Sequence, residues 1–182
     1  MSRFTPQQSH LLRLSRMCMI LFLSTLSFAG MNPFAVNLTG LFSRRPFFTW
    51  LCMGPALFLQ AIQLYEAGIP YLPKRSWLAQ CLVLGVSVLG LMLVPYRSET
   101  EFSTNLHLLS ALLVLILVHV LLARLFLYRP DVRSLYLPFA VASLLFALTA
   151  SSVNGISELV LGYGLTISLY WCAEPKRPAV ND

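Results

Sequence analysis

Charge is what this sequence lacks. Asp, Glu, Lys and Arg make up 11% of its 182 residues, against about 25% in an ordinary soluble domain. A particle of this size cannot be covered with so few charges, so lipid must solvate much of its surface. With 57% hydrophobic residues and mean hydropathy +0.72, the chain belongs to the membrane class. A helix crossing the hydrocarbon core takes about 20 mostly apolar residues. Six such runs use most of the chain and leave no room for a separate soluble domain.

Other absences narrow the chemistry. There is no phosphate-binding glycine loop, no dinucleotide fingerprint, no zinc-protease pair of histidines and no nucleophile elbow. The four cysteines, Cys18, Cys52, Cys81 and Cys172, sit in or beside apolar runs without metal-ligand spacing, which suits small apolar packing residues. No metal and no cofactor is expected. An intrachain pair of haem-ligating histidines is excluded because His119 has no second histidine at matching depth on another span. No voltage-sensor arginine ladder and no filter-like loop occurs, and no internal repeat stands out. The net charge of +6 is scattered in ones and twos between apolar runs, which excludes a nucleic-acid surface and matches loop anchors.

What is present is a succession of apolar runs too long and too continuous for barrel strands. They predict an all-α, polytopic transmembrane bundle of about six helices in one domain, with spans near residues 17–38, 47–69, 77–96, 106–128, 134–152 and 156–172. The first run follows Arg13 and Arg16 and ends near Ser27, Phe28 and Ala29, so it also has the form of a signal peptide. Apolar character continuing from Phe34 to Leu38 favours a retained helix. Gly54 and Pro55 predict a kink in the second span. A cytoplasmic N-terminus places Arg3, Arg13, Arg16, Lys74, Arg75, Arg124, Arg129, Arg133, Lys176 and Arg177 inside. Only Arg44, Arg45 and Arg97 then lie outside. By the positive-inside rule both termini are expected in the cytoplasm, in a cell membrane of bacterial inner-membrane type.

A polar group at membrane depth is costly, so each one invites a functional reading. In the last span Asn154, Glu158, Gly162 and Thr166 recur at steps of four, a polar and small stripe suited to the bundle interior. His107 and Ser110 share a face at the start of the fourth span. His107, Ser110, Asn154 and Glu158 therefore form a candidate polar site near the outer side: a proton relay, a cation site or an acid/base pair, or else a structural tie between helices. Gln60, Gln63 and Glu66 form a candidate inner stripe on the second span, with Lys74 and Arg75 expected to neutralise Glu66. Ser143, Ala147 and Ser151 form a small-residue seam on the fifth.

The stretch Leu89 to Pro95, a short polar loop, then His107 to Ala111 resembles a group of small six-helix bacterial membrane proteins of unassigned activity, distantly similar to the DRAM/FRAG-like proteins. In that group the third span ends in a Gly-x-x-Pro-like turn, the fourth opens with His and a small residue, and the last opens with Gly and an acidic residue, as Gly155 and Glu158 do here. The resemblance implies six helices and marks His107 and Glu158 as the positions to watch. The ceramidase-like hydrolases are the nearest enzymatic comparison, but their metal site needs several histidines and an aspartate that this chain does not place within its spans. The function expected is a non-enzymatic membrane component that binds lipid, another membrane protein or itself. A small transporter or channel with a polar pathway is the alternative, and a lipid-modifying enzyme the third.

Overall fold

The computed structural model describes residues 6–93, 101–150 and 153–173. Among the described residues the chain is entirely helical, with no strands: α1 (Pro6–Ser27), α2 (Leu38–Arg44), α3 (Pro46–Gly68), α4 (Lys74–Leu93), α5 (Glu101–Tyr128), α6 (Pro130–Thr149) and α7 (Gly155–Cys172). Two starts are set by proline in the first turn, at Pro46 and Pro130, where its missing N–H would have no helical partner. α3 continues through Pro55 and α6 through Pro138. Among the described residues four helices are long and apolar enough to cross a membrane: α3, α4, α5 from Asn105, and α6. α1 opens on polar residues and carries Arg13 and Arg16. α7 is shorter, at 18 residues, and holds Glu158 in its first turn.

The first apolar run does not continue as helix to Leu38. α1 ends at Ser27, and Gly30 adopts φ +72°, a left-handed conformation that glycine takes without steric cost. The Asn32 side chain then accepts from the Phe34 N–H at 3.0 Å, and Asn37 caps the short α2 by accepting from the Gly40 N–H at 2.8 Å. Apolar residues Phe34 to Leu38 thus belong to a strap folded back over the bundle. Turn chemistry at Gly30, Asn32 and Asn37 overrides the hydrophobic continuity. The fifth run is helical from Pro130, earlier than residue 134. Residues 94–96 of the third run, 151–152 of the fifth, and Arg3, Arg97, Lys176 and Arg177 lie outside the described residues.

α6 and α7 form the most extensively packed pair; α1 lies against α3 and α7, and α4 pairs with α5. The main core lies at the end of the bundle where α7 finishes. There Trp77, Leu122, Leu125, Val132, Leu169 and Cys172 are enclosed. Trp77 donates its Nε1–H to the Tyr65 carbonyl at 2.9 Å, and its indole lies where a Cβ at Gly68 would come within 2.1 Å. A smaller core of Phe28, Val36 and Leu41 closes the opposite end. Between them the exterior is apolar. α4 buries only Trp77 and Leu84, while Leu82, Val86 and Leu93 are exposed, as are Leu109 and Leu127 on α5. An apolar exterior of this extent is what a bilayer solvates.

Candidate functional site: a carboxylate-lined cavity between α1, α3 and α7

The first four N–H groups of a helix have no partner within it, and at α7 all four are satisfied. Gly155 donates to the Val36 carbonyl at 3.0 Å and Ile156 to the Pro33 carbonyl at 3.1 Å, both acceptors lying on the strap. Ser157 donates its N–H to the Asn154 side chain at 2.9 Å, and the Asn154 N–H donates to the Ser157 hydroxyl at 3.2 Å. Asn154 and Ser157 complete a reciprocal capping box. Gly155 is obligatory here: a Cβ would fall 2.2 Å from the Phe28 ring and 2.6 Å from the Val36 carbonyl oxygen. The strap returns the interaction, since the Leu38 N–H at the start of α2 donates to Glu158 Oε2 at 2.6 Å. Glu158 therefore lies in the first turn of its own helix and accepts from the first turn of α2.

Below this lock a partly open cavity of about 120 Å³ lies between the three helices, lined by Ser24, Phe28, Leu38, Met53, Ala56, Leu57, Gln60, Glu158, Leu159, Gly162 and Tyr163. Gln60 reaches across from α3, donating its amide to the Thr166 hydroxyl at 3.0 Å and the Gly162 carbonyl at 3.4 Å. The Tyr163 and Thr25 hydroxyls share a short hydrogen bond that ties α7 to α1. The stripe of Asn154, Glu158, Gly162 and Thr166 does face other helices, and it meets one member of the inner stripe.

The remaining candidates have other surroundings. Glu66 pairs with Arg16 of α1 at 2.7 Å, a correction to its expected neutralisation by Lys74 and Arg75. Those two residues are exposed at the start of α4, whereas α1 lies directly on α3. Gln63, one turn beyond Gln60, is 3% exposed, and neither its Nε2 nor its Oε1 has a hydrogen-bond partner among the described residues. His107 is buried on α5, and the Ser110 hydroxyl donates to the Leu106 carbonyl of its own helix at 2.8 Å. Neither lines the cavity that holds Glu158. His119 accepts or donates at 3.2 Å to the Tyr136 hydroxyl, joining α5 to α6. Arg124 donates to Gln80 of α4. Ser143 donates to the Ser157 carbonyl at 2.7 Å, joining α6 to α7, while Ser151 lies outside the described residues.

By sequence Arg129 counts only as a loop anchor, yet it is 4% exposed. It donates to the Cys172 carbonyl at 2.9 Å, the Trp171 carbonyl at 3.2 Å and the Tyr71 hydroxyl at 3.1 Å. Its fork also holds Asp131 at 2.8 to 3.2 Å. Arg13 adds a bond to the Ala173 carbonyl at 2.7 Å. Two arginines thus cap the negative end of α7. The available signal was Asp131 two residues after Arg129 across a proline, a spacing that returns a carboxylate to the guanidinium.

No group of three or more His, Cys, Asp or Glu side chains placed to hold a metal occurs among the described residues. No protein-family model, curated protein or solved structure matches this chain.

Proposed function

We propose that this protein is a multi-pass membrane component that acts by binding, with lipid as its first ligand, and that it performs no covalent chemistry. The observation carrying this reading is the cavity between α1, α3 and α7. It is mostly apolar, it holds one carboxylate, and several of the polar groups at and around it join helices. Glu158 holds α2, Gln60 holds α7, and Asn154 caps α7. A volume near 120 Å³ is far below the several hundred Å³ of a site that engulfs a whole substrate. It suits one end of an amphiphile whose remainder lies in the bilayer.

The proposed topology has six spans, α1 and α7 completing the four apolar helices, with both termini cytoplasmic in a bacterial inner membrane. This agrees with the positive charge at the end where α7 finishes and with the resemblance to small six-helix proteins. To test the function, the protein is purified in mild detergent, stripped of lipid, and given back a total lipid extract. Retained lipid by native mass spectrometry and a raised melting temperature are expected. No adduct and no thermal shift would remove the reading.

One observation favours a second reading, a small polar pathway: the buried, unpartnered amide of Gln63 lies one turn beyond the cavity's Gln60. A conducting path would need Gln63 to meet water, and that is testable by labelling.

A further inference from the structure

The cavity has a chemical character that points to its occupant. We propose that it receives a primary ammonium group, either the head group of an aminophospholipid or a free alkylamine, with Glu158 as its counter-charge; this rests on the binding reading above.

Three observations lead there. First, Glu158 has no cationic partner among the described residues. Its Oε2 takes the Leu38 N–H, and among the described residues no other hydrogen bond or ion pair reaches the carboxylate. Arg45, between α2 and α3, donates to the Ala29 carbonyl at 3.0 Å.

Second, the polar lining is rich in acceptors. The Gln60 amide nitrogen is committed to Thr166 and Gly162, which leaves its oxygen, the Ser24 hydroxyl and the second Glu158 oxygen. An ammonium offers three donors and no acceptor, so its chemistry matches that lining where an anion's does not. A hard metal ion would need six or more oxygens, which one carboxylate in a wall of Phe28, Leu38, Met53, Ala56, Leu57 and Leu159 does not supply.

Third, the cavity wall contributed by α7 includes a glycine, Gly162. Glycine is, after proline, the poorest residue for a helix interior, and close packing does not require it here: a Cβ at Gly162 would meet nothing within 4 Å. Gly68, Gly155 and Gly164 differ, each having a neighbour closer than 2.4 Å to the added carbon. The missing side chain at 162 leaves room in the wall facing Gln60. About 120 Å³ is slightly less than a cavity known to hold benzene, roughly 150 Å³, and accommodates an aminoethyl group.

The test uses the full chain in nanodiscs of phosphatidylethanolamine, phosphatidylcholine or phosphatidylglycerol, and separately in detergent with free ethylammonium. Binding is read by native mass spectrometry and thermal shift. Glu158→Gln keeps an oxygen for the Leu38 N–H and removes the charge. Gly162→Leu fills the space and leaves Glu158 in place, so it carries the test should Glu158→Gln misfold. Wild type is expected to prefer phosphatidylethanolamine over the other two lipids, with both variants binding it roughly 10- to 100-fold more weakly, the loss of one charge-assisted hydrogen bond. A response to ethylammonium alone, abolished by the same variants, also supports the proposal and assigns the free amine. Lipid bound without amine preference, or bound equally by variants and wild type, overturns the ammonium site and leaves the binding reading standing. No binding of any lipid or amine overturns both.

Discussion

Replacing Arg129 with Met tests whether the end of α7 is held by geometry or merely by positive charge. Met keeps an unbranched apolar stem in place of the arginine methylenes and removes every donor. Two α7 carbonyls, Cys172 and Trp171, lose their bonds at 2.9 and 3.2 Å. Tyr71 loses a partner, and Asp131 loses its ion pair. The Asp131 side chain is 54% exposed, so it rehydrates, and that part is worth about 0–1 kcal/mol. A hydrogen bond from a charged donor contributes about 1.5–3 kcal/mol, and the two carbonyls lie on one helix end and are not additive. About 3 kcal/mol is expected in all. For a chain of this size that corresponds to a melting-temperature drop of roughly 6–12 °C in detergent.

The matching control is Arg133→Met. Arg133 is exposed and its side chain makes no hydrogen bond to the described residues, so its loss is expected to stay within about 0.5 kcal/mol. Arg129→Lys keeps the charge without the fork and is expected to recover less than half of the deficit. Hydrogen bonding to Asp131 raises the Arg129 pKa above its ordinary value. A raised cationic group contributes its stability until pH exceeds its folded pKa, so the deficit is expected to be flat between about pH 6 and 9. Equal, small shifts for Arg129→Met and Arg133→Met would refute the clamp and leave Arg129 as an anchor only.

Three further outcomes follow from the packing. Gly155→Ala drives a carbon into the Phe28 ring and the Val36 carbonyl and is expected to cost more than about 2 kcal/mol, read as a lower melting temperature and faster proteolysis of the strap. Gly162→Ala meets no neighbour and is expected to stabilise the ligand-free protein by about 0.5–1 kcal/mol in the same thermal assay. Glu66→Gln breaks a pair with Arg16 at 2.7 Å, but the Glu66 side chain is 37% exposed. A change under about 1 kcal/mol is expected in the same melt, and a larger loss would show the pair to be effectively buried.

The helical class was legible in the sequence because continuous apolar runs have one physical solution in lipid. The stripe at Asn154, Glu158, Gly162 and Thr166 was legible too, because a step of four places residues on one helix face. What escaped was set by turns and partners. Gly30 and Asn37 break an apolar stretch that hydropathy alone reads as continuous, and the resulting strap gives Glu158 its partner at Leu38. Glu66 lies nearer in sequence to Lys74 and Arg75 than to Arg16, but helix packing brings Arg16 to it. Charge alone makes Arg129 an anchor, whereas its role depends on the carbonyls of a helix more than 40 residues away. Depth along the spans assigns Gln60 and Glu158 to opposite sides of the membrane. They line one cavity because α3 and α7 lie side by side.

The most direct test of binding over conduction is water access at Gln63. In a background lacking the four native cysteines, Gln63→Cys is exposed in sealed vesicles to a membrane-impermeant thiol reagent from each side, with Arg75→Cys and Arg45→Cys as accessible controls. For a protein that binds one end of an amphiphile in this cavity, the thiol introduced at position 63 is expected to remain unlabelled from both sides while each control reacts from one. Labelling at position 63 at a rate comparable to the controls would contradict this and place a water-filled path between α3 and α7.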